Sequence, residues 1–264
     1  MIERHKLAVH QQVKNNLNQV NSQLTLNLYK NIQVVKGLSA LLQVNPNLSQ
    51  HEFGLAVKKL FDEHTLLLNI GAAPDLIMTY MFPIKGNELA IGLDYRKQSS
   101  QTDAILKAKN TKQLTLTGPL KLLQGGTGLM VWLPIFVENK VGIESFWGTV
   151  SAAIDVNQLI QQSGLLDENL TIELAIKNKS RGVFFGSSDV FNNEHVESAI
   201  ELPGAAWQIA AIPKNGWETL PKNIWNIRLC VYAAALFLFL LIYALIRKTV
   251  KAATANTLLR TIFN

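Results

Sequence analysis

From Val13 to Leu42 apolar residues recur every three or four positions: Val13, Leu17, Val20, Leu24, Leu28, Ile32, Val35, Leu38 and Leu42. Asparagine, glutamine and lysine fill the places between them. That period predicts one long helix over residues 5–43. No proline precedes Pro46 and no glycine precedes Gly37. A narrow apolar stripe on a long polar helix has two readings. It is a coiled-coil-like seam with a second copy, or the face by which the helix packs on its own domain. The two are compatible, with a dimer stalk in the N-terminal half and domain packing in the C-terminal half.

The pattern breaks at Asn45-Pro46-Asn47. Ser49 followed by Glu52 is a capping box, which starts a helix running to Glu63 with Phe53, Val57, Leu60 and Phe61 inward. Leu66–Ile70 leads to a turn at Ala73-Pro74-Asp75. Beyond it, short runs of large apolar residues predict core strands at Leu76–Phe82, Leu114–Thr117, Leu129–Val137 and Phe146–Ile154. A helix is predicted around Asp103–Lys109 and another at Asn157–Ser163. Pro134 marks the third of these strands as bulged or near an edge. Alternation and β-branched or aromatic content give three more strands, at Thr171–Ile176, Gly182–Phe185 and Trp207–Ile212.

The eighteen residues Leu229–Ile246 carry no charge and no polar face. At about 1.5 Å per residue they span roughly 27 Å, close to the ~30 Å of a bilayer's hydrocarbon core. Trp217 and Trp225 lie before the run and Tyr243 sits near its far end, as interfacial aromatics do. The segment after it carries Arg247, Lys248, Lys251 and Arg260 without an acid, four of the six positive charges by which the chain is in excess. Short positive segments stay in the cytoplasm, so residues 1–225 are expected outside and 247–264 inside. The basic balance then belongs to the anchor, and nucleic acid is not an expected partner. An exterior domain needs an export signal and Met1–Gln12 has no apolar run to serve as one, so either the later membrane helix directs export or, as favoured here, an upstream membrane helix lies beyond this chain.

Of the 264 residues 48% are hydrophobic and 17% charged, and one is a cysteine, Cys230, inside the apolar run. The exterior part therefore holds together by packing, without an intrachain disulfide. The five histidines have no metal-ligand spacing, and no cofactor or metal is expected. Gly125–Gly128 lacks the Gly-Lys-Ser/Thr ending of a phosphate loop and reads as a turn. Asp62 and Glu63 have no second carboxylate in view, and no Gly-x-Ser-x-Gly or Ser-x-x-Lys pattern supports a tethered hydrolase. Asn47, Asn169 and Asn178 begin Asn-x-Ser/Thr triplets. Asp94 ends the apolar run Leu89–Leu93, where a carboxylate needs a donor. It either caps a turn or pairs with Arg96, or it anchors a ligand in an apolar pocket.

PDLIMTYMFPIKGNELAIGLDYR, GPLKLLQGGTGLMVWLPIF and FWGTVSAAIDVNQLI, in this order and spacing, resemble the CHASE domain. That is an extracytoplasmic sensor module of bacterial membrane receptors and of plant cytokinin receptors. The resemblance covers about residues 38–166. It implies a mixed α/β (α+β) fold: a long N-terminal helix, two PAS-like α/β modules, and then a C-terminal transmembrane helix. The divisions it implies are a stalk helix over 1–43, a membrane-distal ligand-binding module over 44–166 and a membrane-proximal module over 167–225. The transmembrane helix covers 226–248 and a cytoplasmic linker helix 249–264. Within the first module it implies Asp94 as the polar anchor, Leu116 and Thr117 on the strand whose backbone bonds the ligand, and Gln124 and Gly125 at the ligand's tail. Ala152 and Ala153 then lie on the pocket floor. The sequence departs from the plant receptors at many positions, so the ligand implied is a small organic molecule rather than cytokinin itself. The further implications are a non-enzymatic sensor at the inner membrane with its sensing part in the periplasm, and a homodimer through the stalk helix. A cytoplasmic output domain of histidine kinase or diguanylate cyclase type would lie outside this chain. The alternative is a dimerisation or partner-sensing module without a small ligand.

Overall fold

A computed structural model describes residues 2–262, apart from 62–64, 98, 123–124, 139–140, 179–181 and 218–223. Asp62, Glu63, His64 and Gln124 thus lie outside the described residues. The chain divides into two compact units, His10–Gly216 and a second that groups residues 1–9 with 217–264.

The first unit is built on helix α1 (Ile2–Val44). Its stripe from Val13 to Leu42 is at most 4% exposed at every position. The residues read as a seam for a second copy are therefore already covered by the chain itself, in both halves of the helix. Polar side chains beside the stripe pin it to two sheets. Asn16 Nδ2 donates to Thr171 Oγ1 at 3.0 Å and Asn21 Nδ2 to Ser198 Oγ at 3.0 Å. One helical stretch further on, Asn27 Nδ2 donates to Ser163 Oγ at 3.1 Å. Asn31 Oδ1 accepts from the Leu66 amide at 2.8 Å and from Thr65 Oγ1 at 3.1 Å.

Helix α2 (Gln50–Leu60) begins at the capping box: Ser49 Oγ accepts from the Glu52 amide and Glu52 accepts from the Ser49 amide. It ends at Leu60. The first sheet contains β1 (Leu67–Pro74), β2 (Tyr80–Phe82), β3 (Thr115–Lys121), β4 (Thr127–Glu138) and β5 (Glu144–Asp155). Their order is β2-β1-β5-β4-β3, all antiparallel. The strand expected over Leu76–Phe82 is reduced to Tyr80–Phe82. Asp75 and Leu76 take positive φ of 50° and 64°, so the chain turns where a strand would run straight. Pro134 lies in β4 beyond the last residue that β3 pairs, where no neighbour asks for its missing N–H, and a bulge follows at Ile135/Phe136. Helix α3 (Ser99–Thr111) lies between β2 and β3 in sequence, and α4 (Val156–Gln162) follows β5, capped by Asp155.

The second sheet contains β6 (Ile172–Asn178), β7 (Gly182–Phe185), β8 (Val196–Leu202) and β9 (Ala205–Pro213), in the order β7-β6-β9-β8, with the single turn α5 (Asp189–Asn192) on one face. Its β8–β9 turn reaches the edge strand β3 of the first sheet. The Leu116 amide donates to Pro203 O at 2.9 Å, and Asn178 Nδ2 to Gly118 O at 3.0 Å. Gly204, at φ 75°, is required there, because a Cβ would meet Thr115 at 2.9–3.2 Å. An edge that could recruit a foreign strand is thus closed from within.

In the second unit α6 (Ile224–Ile262) is a continuous helix. Its stretch Trp225–Lys251 has 27 residues, a mean hydropathy of 2.7 and no part buried inside the chain. Apolar residues on all sides, from Leu229 to Ile246, are exposed. The helix is long and apolar enough to cross a membrane, and it is not a core helix of this chain.

Candidate functional site: a polar cradle on one face of the first sheet

Alternation along a strand sends successive side chains to opposite faces. Registration then groups them across the sheet. Ile70, Ala152, Val131 and Leu116 lie in one row, Ala72 and Val150 in the next, and Ile154 and Leu129 in a third. All are at most 2% exposed and none is polar. Helix α2 packs on this side, with Phe53 stacked on Tyr80 and Phe61 edge-on to Phe82.

The opposite face carries Asn69, Ala153, Met130 and Thr117 in one row, and Gly71, Ser151 and Trp132 in the next. It is roofed by the connection from β2 to β3. Tyr95, 3% exposed, sets its ring edge-on to Trp132 at 5.2 Å, and its hydroxyl lies 3.2 Å from Ser151 Oγ. Trp132 Nε1 donates to Thr117 Oγ1 at 2.9 Å. Asn69 Nδ2 donates to Asn87 Oδ1 at 2.8 Å, and Asn87 is held in turn by Pro83 O. Met78, Met81, Ala104, Ile105 and Ala108 complete the apolar surround. Gly71 leaves room for the Met78 thioether, which would lie 2.6 Å from a Cβ there.

Burial pushes the Tyr95 phenol up to about 12, against the smaller opposite effect of Ser151. The phenol is therefore neutral at any physiological pH. It can donate one hydrogen bond and accept another. The cradle as a whole offers amides, hydroxyls and an indole N–H, all uncharged and all engaged with one another. A ligand would bind by exchanging with such pairs, as pockets with a few convergent polar groups do. Among the described residues no three His, Cys, Asp or Glu side chains converge as metal ligands would.

The residues singled out from the sequence fall in different places. Thr117 and Ala153 are on the cradle face. Leu116 and Ala152 are on the other face, within the packing toward the helices, and the Leu116 amide is taken by Pro203. Gly125 stands in an exposed turn, its amide donating to Leu122 O at 3.0 Å. Asp94 sits on the roof, bridged to Ile77. Its carboxylate accepts from Arg96 Nε at 2.7 Å and Nη2 at 2.9 Å. The guanidinium holds that carboxyl below its ordinary range. The pairing with Arg96, one of the two readings of Asp94, is thus present. Tyr95, Trp132, Ser151, Asn69 and Asn87 were not singled out. Tyr95 adjoins Asp94, and Ser151 is two residues before Ala153 on the same strand, so the alternation of β5 pointed to it.

Residues 69–183 match the CHASE domain model. The match begins at β1 and runs past α4 to the start of β7. No curated protein matches the sequence. Among solved structures, the chain is similar to an extracellular ligand-binding receptor from Desulfohalobium retbaense, at 17% identity and a TM-score of 0.60 over 76% of this chain. It spans 40% of that receptor's length. It is also similar to the ligand-binding domain of a Pseudomonas aeruginosa amino-acid chemoreceptor solved with GABA, at 14% identity and a TM-score of 0.56 over 76% of this chain and 98% of that one. A third is the periplasmic sensory domain of a Campylobacter jejuni chemoreceptor, at 12% identity and a TM-score of 0.53 over 84% and 100%. At such identities the likeness is one of fold. The ordered motifs, the two antiparallel sheets strung along one helix and the family match agree: residues 69–183 of the chain match the CHASE domain, and the fold is one shared with extracellular ligand-binding and sensory domains.

Proposed function

We propose that this chain is the exterior sensor region of a membrane signalling receptor, and that its cradle binds a small organic molecule. The observation that carries the reading is the set of buried and half-buried, neutral, paired polar groups on one face of the first sheet, within the region that matches the CHASE domain. Such groups lower stability relative to an apolar core unless every partner is kept. A binding site is the economical reason to keep them. The site comprises Tyr95, Trp132, Ser151, Thr117, Asn69 and Asn87, with Asp94 at the rim, available to a ligand when Arg96 releases it. The amino-acid ligands of structural relatives support a small polar solute as the class.

Occupancy would favour one arrangement of the first sheet. Strand β3, tied to the β8–β9 turn, would pass that preference on. Helix α6 would carry it across the inner membrane from the periplasm to a cytoplasmic output domain of histidine kinase or diguanylate cyclase type. A coupling of about 1–3 kcal/mol suffices for such a switch. The modules are proposed to divide near residue 166. A homodimer through α1 would have to use the outward side of the helix, where Leu26 and Tyr29 are exposed.

The test is a thermal-shift survey of metabolites on the full chain in nanodiscs. A ligand raises the melting temperature by binding the native state alone. The reading expects at least one hit whose shift is lost in Ser151→Ala with Tyr95→Phe. Hits indifferent to that double variant would contradict it.

A further inference from the structure

We propose that a groove between α2 and the outer edge of the first sheet is a second ligand site, suited to a small carboxylate with a hydrocarbon body. It is an open groove of about 660 Å³, within the range of small-molecule sites. Its walls are apolar at Leu55, Phe82 and Ile84, and Leu55 and Ile84 are 51% and 45% exposed. Its charged lining is cationic, from Lys58 and Lys85 with His51 beside them, and among the described residues no acid lines it. Of the described acids next to it in sequence, Glu52 accepts from the Ser49 amide at 2.8 Å and Glu88 from the Gly86 amide at 2.9 Å. An apolar trough under a cationic rim selects a ligand with the opposite charge on an apolar body.

Two features make this a built site rather than an accident of packing. Gly54 stands inside α2, where glycine weakens a helix. A Cβ there would meet only the Phe82 ring at 3.9 Å, an ordinary contact. Alanine would fit, so packing does not demand the glycine, and a larger side chain would occupy the groove. Next, Gln50 closes the backbone of β2, donating to Met81 O at 2.9 Å and accepting from the Met81 amide at 3.1 Å. The strand edge beside the groove is therefore not free for an added peptide strand. What remains is side-chain surface sized for a small molecule. The groove lies beside α2, whereas Tyr95 and Trp132 lie on the other face of the sheet; Met81 and Pro83 are common to the surrounds of both.

The test compares hexanoate, hexylamine and hexanol by calorimetry and saturation-transfer NMR on the full chain in nanodiscs, with empty nanodiscs as the blank. Hexanoate is expected to bind at least tenfold more tightly than the other two. Gly54→Leu is expected to cut that binding at least tenfold, and Lys58→Glu with Lys85→Glu to abolish the preference for the anion. Should the leucine variant fail to fold, the surface pair Lys58→Gln and Lys85→Gln gives the same readout. Thr117→Val, in the cradle, is expected to leave hexanoate binding unchanged. Equal binding of all three probes, binding no greater than the blank, insensitivity to the lysine variants, or loss in Thr117→Val would each overturn the proposal.

Discussion

The two faces of the first sheet differ in kind although the same five strands build both. Toward α2 the rows Ile70–Ala152–Val131–Leu116 and Ile154–Leu129 hold only hydrocarbon. Toward the roof, each strand from β1 to β3 across the centre contributes polar atoms: Asn69, Ser151, Trp132 and Thr117. Asn69, Ser151 and Trp132 are buried although polar, at most 7% exposed, while Thr117 and Met130 are half-buried, so exposure alone does not explain the contrast. One face is selected for packing. The other retains groups that packing alone would discard. The lesson is that buried polarity collecting on one face of a closed fold marks that face as a candidate binding surface.

The comparison breaks most sharply under truncation of the apolar face. Leu129→Ala should cost about 2–5 kcal/mol by denaturant unfolding, the range for a buried leucine that leaves a cavity, with any surviving protein keeping its ligand response. Alkaline titration comes next. Tyr95 titrates near 12 when folded against 10 in the open chain. The unfolded state therefore loses its proton first. The stability that comes from keeping the phenol neutral is complete below pH 10 and is lost as pH rises from 10 to 12, about 2–3 kcal/mol at most. Tyr95→Phe should remove that part of the alkaline slope.

At neutral pH the same variant, or Ser151→Ala, should cost only about 0.5–1.5 kcal/mol, one hydrogen bond's net worth. Each should nevertheless weaken the ligand-induced thermal shift severalfold. The smallest effect on stability is expected for Asp94→Ala, since exposed ion pairs contribute little. Its effect on ligand response should be below that of Ser151→Ala. A larger one would move the anchor from the cradle to its rim.

Much of the frame was legible in the chain. The spacing from Val13 to Leu42 announced α1, the Ser49/Glu52 box announced α2, and the uncharged run from Leu229 announced the membrane-length helix. The failures have local causes. Two left-handed residues after Pro74 shortened the strand expected at Leu76, and neither is a glycine that would have signalled it. Strand β8 was missed because its sequence VESAIEL is half charged or small, as suits an edge strand with one open face. The stripe on α1 was readable as apolar but not as to its partner. One sequence does not say whether a second helix or two sheets will cover it.

The cradle was the least legible part. Tyr95 meets Ser151 across 56 positions, and Trp132 meets Thr117 through strand pairing. Within a strand the period of two is visible, but which phase faces the roof is set by the register. That is why Leu116 came with Thr117 and Ala152 with Ala153, when only one of each pair shares the polar face.

The most direct measurement is calorimetric titration of the full chain in nanodiscs with the metabolite that stabilises it most, alongside Ser151→Ala with Tyr95→Phe. The account predicts one site per chain in the wild type and at least tenfold weaker binding in the double variant, which stays folded. An affinity untouched by the double substitution would contradict it.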